Sequence, residues 1–201
     1  MINPHDITNF ERSEEELEEF LLFAVSVAGK TAEVQAEKLD KFLNLVSLPE
    51  KYTPFEKIRY LVVNRFCSLR SYLKKVKLGK YSLLEDSFRS LSFSNIDLRS
   101  ISCKNLQSFP GIGPKTSRFF ILHSRSDAEV ACLDTHILKW LSEYLDGVDV
   151  PNSTPKLSKY RTLERRFVEI CSSNNVHPAK LDLKIWKMYN RNNEEEIDSV
   201  L

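Results

Sequence analysis

The tightest constraint on this chain lies near its middle, in Phe109-Pro110-Gly111-Ile112-Gly113-Pro114-Lys115-Thr116. Two of the five glycines in 201 residues stand here at alternate positions, and glycine permits a positive φ where other residues are strained. A short helix over Ser102 to Ser108, with Leu106 inward, must break at this point. Pro114 then restarts a helix at its first position, where a missing N–H costs nothing. The stretch reads as helix, hairpin, helix. The amides of Gly111, Gly113 and Lys115 are thereby directed outward at a positive helix end, an arrangement that accepts a phosphate. Lys115 opposes the macrodipole, which favours acids in the first turn by about 0.3–1 kcal/mol. A purely structural role would suit Glu or Ser better, so the lysine is read either as a phosphate contact or as an amine nucleophile.

Downstream, Leu133-Asp134-Thr135-His136-Ile137 opens an amphipathic helix with Ile137, Leu138, Leu141 and Leu145 on one face. The default role of Asp134 is to cap it. Taken together, hairpin, lysine and Asp-Thr-His element resemble the helix-hairpin-helix DNA glycosylases of the endonuclease III superfamily. The resemblance implies an all-α, two-lobed fold with the active-site cleft between lobes: a central lobe over residues 24–123, carrying the helix-hairpin-helix at about 98–123, and a second lobe built from 1–23 and 124–201.

It further implies a bifunctional DNA glycosylase and AP lyase in which Lys115 attacks the deoxyribose and Asp134 assists. The DNA contacts would come from Gly111, Gly113, Thr116 and Arg118, with a monovalent cation at the hairpin near Gly111 and Gly113, and His136 would orient the Asp134 loop by hydrogen bonding. The four cysteines, Cys67, Cys103, Cys132 and Cys171, are widely spaced, and none follows Cys171. The closely spaced set that holds the iron–sulfur cluster of endonuclease III is missing, so no cofactor is expected. The thiols read as reduced core residues. This points to the cluster-free branch that includes small prokaryotic 8-oxoguanine glycosylases, and so to a damaged base of the 8-oxoguanine type in double-stranded DNA. Two alternatives stand beside it: an oxidised-pyrimidine glycosylase of the endonuclease III type, and a non-catalytic helix-hairpin-helix DNA-binding module. Two departures bear on the substrate. The sequence ends Asp198-Ser199-Val200-Leu201, without the terminal lysine that reads the base in the short enzymes, and the turn Ala28-Gly29-Lys30-Thr31 lacks the glutamine that the family inserts into the duplex. Lys30 is the expected substitute.

The remainder reads as helices with short turns. Ser13 with Glu16 three positions on forms a capping box for a helix through Ala28, whose apolar run from Phe20 is too short to span a bilayer. Helices are expected over Ala32 to Val46, with Val34, Leu39, Phe42 and Leu43 on one face, and over Phe55 to Cys67, with Ile58, Leu61, Val62 and Phe66 inward. Further ones are expected over Tyr81 to Leu91, Leu157 to Asn174 and Ala179 to Tyr189, with an acidic tail beyond. His123 is expected to end its helix. Between Lys51 and Arg125, fifteen Lys and Arg stand against four acids, while the net charge of the chain is only +1. Such concentration is the footprint of a face that binds a nucleic-acid backbone. No charged leader precedes the apolar run, so a cytoplasmic monomer is expected, nucleoid-associated in a prokaryote.

Overall fold

The computed structural model describes residues 1–45, 52–64 and 68–190, and every regular element among them is helical. Val46 to Lys51, Arg65 to Cys67 and the tail from Arg191 lie outside the described residues, which takes with them the expected positions of Pro49, Lys51, Phe66 and Cys67. The chain divides into two compact units, Met1–Asp6 with Glu11–Phe120, and Ile7–Phe10 with Ile121–Leu201.

The first unit is organised around helix α1 (Glu14–Val27). Ser13 caps it as expected: its hydroxyl accepts from the Glu16 amide at 3.2 Å, and the Glu16 carboxylate accepts from the Ser13 amide at 2.8 Å. Every residue from Phe20 to Ser26 is buried, because this run has no polar face to give to water and must be surrounded. It is surrounded by α2 (Ala32–Asn44), α3 (Pro54–Asn64) and α5 (Tyr81–Ser92). Between α3 and α5 comes α4 (Leu69–Lys75), a short helix capped by Ser68 that the sequence reading passed over. In α2 Leu39, Phe42 and Leu43 are buried as expected, while Val34 is 44% exposed and Gln35 and Ala36 complete the buried face in its place. Phe42 meets Phe88 at 5.8 Å between ring centroids, and Phe20 meets Phe120 at 5.5 Å. The sequence expectation placed residues 1–23 with the C-terminal part. Instead, α1 packs against α2, α3 and α5 of the first unit, because its apolar run needs cover on all sides.

Only Ile7–Phe10 of the N-terminal stretch joins the second unit, and it is held there by His123. The Asn9 amide donates to the His123 carbonyl at 3.2 Å, Thr8 Oγ1 meets His123 Nδ1 at 2.8 Å, and His123 Nε2 meets Asp182 Oδ2 at 3.2 Å. The second unit is otherwise built from α8 (Thr135–Tyr144), α9 (Leu157–Ser173) and α10 (Pro178–Asn190), packed around Leu133, Ile137, Leu141, Tyr160, Phe167 and Ile185. His177 begins α10 by accepting the Ala179 amide on Nδ1 at 3.1 Å.

Candidate active site

Ser102 caps α6 (Cys103–Leu106), accepting the Asn105 amide at 3.2 Å, and the chain leaves this helix through Gln107 into the hairpin. The Ile112 amide closes the turn on the Phe109 carbonyl at 3.2 Å, with Gly111 at φ +79°. A Cβ at Gly111 would also stand 3.2 Å from Leu83, a tight approach added to the strain of the left-handed backbone. Gly113 is different. Its φ is not in the left-handed region, and a Cβ there would meet nothing within 4 Å. The expectation that both glycines serve backbone conformation is therefore corrected for Gly113, whose lack of a side chain answers no need of the protein's own packing.

Helix α7 (Pro114–Ser124) starts at once, with the Ser117 amide on the Gly113 carbonyl at 3.0 Å. Among the described residues the amides of Gly111, Gly113 and Lys115 donate to no protein acceptor, as expected at a helix start that leaves its first N–H groups unclaimed. Lys115 is partly exposed beside them. The hairpin is braced by a contact that no local pattern announces: Gln107 Nε2 donates to the Cys103 carbonyl at 2.9 Å and to Ser117 Oγ at 3.2 Å, while Ser117 Oγ donates to the Pro114 carbonyl. Arg118 joins this brace. It is 6% exposed and donates from Nη1 to the Pro114 carbonyl at 3.2 Å, and Thr116 is 7% exposed. Both were expected as DNA contacts, but these side chains face inward, since the apolar neighbours on α7 carry the same helix face into the interior.

In the second unit Asp134 caps α8. One carboxylate oxygen, Oδ1, accepts the amides of His136 and Ile137, each at 2.9 Å, which leaves Oδ2 without a protein hydrogen bond among the described residues. His136 contributes to this arrangement through its backbone amide. Its ring stacks on Tyr189 at 5.9 Å and 12° between planes, so the expected hydrogen bond from the ring to the Asp134 loop is replaced by an aromatic contact. Tyr189 in turn donates to Glu143 and lies under the Lys139 ammonium, 4.5 Å from the ring centre. Burial and the Glu143 carboxylate push the Tyr189 phenol well above its ordinary range.

Lys30 does not extend into solvent. Its Nζ donates to the Leu78 carbonyl at 3.0 Å, and Lys80 Nζ donates back to the Ala28 carbonyl at 2.7 Å, so two turns are laced by exchanged lysines. Desolvation, with Lys38 and Lys80 nearby, lowers the Lys30 pKa. The Lys30 ammonium, expected to enter the duplex, is here bonded to a carbonyl of the same unit. A similar sorting runs through the basic stretch. Arg59 donates to the Ser92 carbonyl at 2.5 Å, Arg70 pairs with Glu85 at 2.7 Å, and Arg99 bridges Glu14 at 2.5 Å and the Arg12 carbonyl at 2.8 Å. By contrast Lys74, Lys75, Lys77, Lys104 and Lys115 form no ion pair among the described residues, and the first four are exposed. The arginines lock the unit together, and the lysines supply its outward charge, as their chemistry favours.

No protein-family model matches the chain. An all-helical fold with a helix-hairpin-helix, a lysine immediately after the hairpin and an aspartate capping a later helix defines a class, and the comparisons support a likeness to the helix-hairpin-helix DNA glycosylase superfamily. Within it, the chain is similar to the Methanocaldococcus jannaschii 8-oxoguanine glycosylase/lyase, solved in complex with a 15mer DNA containing 8-oxoguanine. That match has a TM-score of 0.52 and 27% identity and covers 95% of this chain and 88% of the other. It is also 29% identical over 122 residues to the 8-oxoguanine DNA glycosylase/AP lyase of Metallosphaera sedula. Those residues are 61% of this chain but only 56% of that relative's length. Among the described residues no helix is long and apolar enough to cross a membrane.

Proposed function

We propose that this chain is a bifunctional DNA glycosylase and AP lyase that excises an oxidised purine of the 8-oxoguanine type from double-stranded DNA. The observation that carries this reading is Lys115, an amine at the second position of α7, directly after a turn whose Gly111 and Gly113 amides have no protein acceptor among the described residues. The named activities of the two relatives supply the substrate class. A flipped nucleotide leaves the stack at a cost of a few kcal/mol, lowered when the base is damaged or mispaired. The Lys115 amine attacks C1′ while the glycosidic bonding pair leaves with the base, and Asp134, through its uncommitted Oδ2, offsets positive charge developing on the sugar and takes the proton released by the amine. Ring opening yields a Schiff base. Loss of a 2′ proton then expels the 3′ phosphate by β-elimination, and hydrolysis of the imine returns the amine.

The hairpin amides hold a backbone phosphate, and the exposed lysines Lys74, Lys75, Lys77 and Lys104 add sequence-independent attraction. The turn also suits a monovalent cation: among the described residues the carbonyls of Gly111 and Ile112 accept no hydrogen bond, and oxygen is the donor that hard cations prefer. Such an ion would add positive charge next to the phosphate.

Borohydride trapping tests the reading. Reduction of the Schiff base should leave a covalent protein–DNA complex on an 8-oxoguanine or abasic duplex, and Lys115→Gln should abolish it while retaining most of the affinity. If wild-type protein formed no such complex on any lesion, the lyase assignment would be wrong.

A further inference from the structure

The loop that delivers Asp134 presents an accounting problem. Residues 128–133 have no regular structure, yet Ala131, Cys132 and Leu133 are buried. A buried segment outside helix or sheet leaves main-chain donors and acceptors that something else must satisfy. Here side chains do so. The Ala131 amide donates to Glu164 Oε1 at 3.2 Å, and Thr154 Oγ1 donates to the Leu133 carbonyl at 3.4 Å. Two further groups meet on one atom: Tyr160 Oη accepts the Leu133 amide at 3.0 Å and donates to the Ala131 carbonyl at 2.8 Å. A hydroxyl has one proton to give and lone pairs to accept with, and this one uses both capacities on the same loop. Tyr160 is fully buried among the apolar residues of α8, α9 and α10. Phenylalanine would fill that space as well. The oxygen therefore has no packing function, and what it touches is the main chain on either side of Cys132, immediately before Asp134.

We propose that Tyr160 is a positioning residue for Asp134: by tying the Ala131 carbonyl to the Leu133 amide it sets the path of the loop, and so the place of the carboxylate at the head of α8. The Asp134 amide reaches back to the Cys132 carbonyl at 2.6 Å, so displacement of the loop moves the aspartate with it. Without the hydroxyl, a buried donor and a buried acceptor are left unmatched, and the loop must shift to find water or new partners. The inference rests on the reading of Asp134 as the group that assists base release. Small displacements of a reacting group cost roughly 10- to 100-fold in rate, and that is the loss expected of Tyr160→Phe.

The experiment combines single-turnover kinetics with hydrogen exchange on the full chain. Tyr160→Phe should slow base release from an 8-oxoguanine duplex by roughly 10- to 100-fold and slow borohydride trapping on an abasic duplex by less than that, since no base has to leave there. In the D134N background the same substitution should add less than about twofold, because its effect passes through the carboxylate. The amides of His136 and Ile137, which donate to Asp134 Oδ1, should exchange faster in Tyr160→Phe. Phe167→Leu, a core change on the same helix with no hydrogen bond to the loop, controls for stability alone: it should lower the melting temperature and leave base release unchanged below the transition. Unchanged release by Tyr160→Phe, or losses from Y160F and D134N that multiply, would overturn the inference. A wild-type protein that released no base would instead defeat the proposed function. The exchange at His136 and Ile137 would still decide the role of Tyr160, since unchanged protection there excludes it.

Discussion

Gly113→Ala separates phosphate binding from folding more cleanly than any other change in this chain. The backbone at Gly113 lies outside the left-handed region, and an added methyl meets no protein atom within 4 Å. Replacement of a glycine under those conditions restricts the unfolded chain without straining the folded one, so stability should hold or rise by about 0.4–1 kcal/mol. Among the described residues the amides of Gly113 and Lys115 have no protein acceptor, and on the proposed reading a methyl at Gly113 crowds a phosphate that approaches them. Loss of one charge-assisted hydrogen bond is worth about 1.5–3 kcal/mol, which is roughly a 10- to 150-fold rise in Kd. The rise should be the same for lesion-bearing and lesion-free duplexes, because phosphate contacts position without specifying. Gly111→Ala is the contrast. With φ at +79° and Leu83 at 3.2 Å, it should cost about 1–2 kcal/mol of stability from the backbone alone. Fluorescence anisotropy with the two duplexes, run beside thermal melts, reads both quantities. A Gly113→Ala protein that melts like wild type and binds both DNAs with unchanged affinity would refute the hairpin as a phosphate site, and loss on the lesion duplex alone would move Gly113 from backbone binding to base recognition.

Salt dependence should be steep but limited: Lys74, Lys75, Lys77, Lys104 and Lys115, each meeting one phosphate, predict a slope of log affinity against log salt of about −4 to −5, and a slope twice as steep would mean that the paired arginines or further lysines also reach DNA. Lys30→Ala should lower stability by about 1–2 kcal/mol through loss of the bond to Leu78 while leaving the borohydride trap intact, which differential scanning calorimetry and trapping gels together check. Burial, with Asp182 nearby, pushes the Cys171 thiol up from 9.0 to about 12. A folded pKa above the unfolded one means that the folded state holds the proton, so stability from this group is full below about pH 9 and is lost as pH rises toward 12. Residue-resolved alkylation at pH 8 should accordingly find Cys171 and Cys132 protected and Cys103, which is only partly buried, reacting first. Asp134→Asn should slow base release by orders of magnitude, since an amide does not offset charge on the sugar, and still permit slow trapping on an abasic duplex. Retention of full release would remove Asp134 from the reaction.

The amino-acid sequence by itself determined the elements that depend on a few neighbouring residues. Ser13 with Glu16, Ser102 with Asn105 and Asp134 with Ile137 satisfy helix starts within three positions, and Pro114 after Gly111 starts α7. Such bonds are local, so they are legible wherever the residues stand, and the hairpin with Lys115 was legible for the same reason. Tertiary structure decided what depends on partners far along the chain. Lys30 is bonded to a carbonyl 48 positions away, and the Asp134 loop is held by a hydroxyl 29 positions from Ala131. Of two glycines in one motif, the fold gives Gly111 a left-handed backbone with Leu83 close by and leaves Gly113 open. Among the described residues of the basic stretch, Arg59, Arg70 and Arg99 found partners only when the Ser92 carbonyl, Glu85 and Glu14 came within reach, while Lys74, Lys75, Lys77 and Lys104 stay exposed without an ion pair. A side chain's type states what it is able to bond, but a long-range partner exists only once packing of the apolar faces has brought it there.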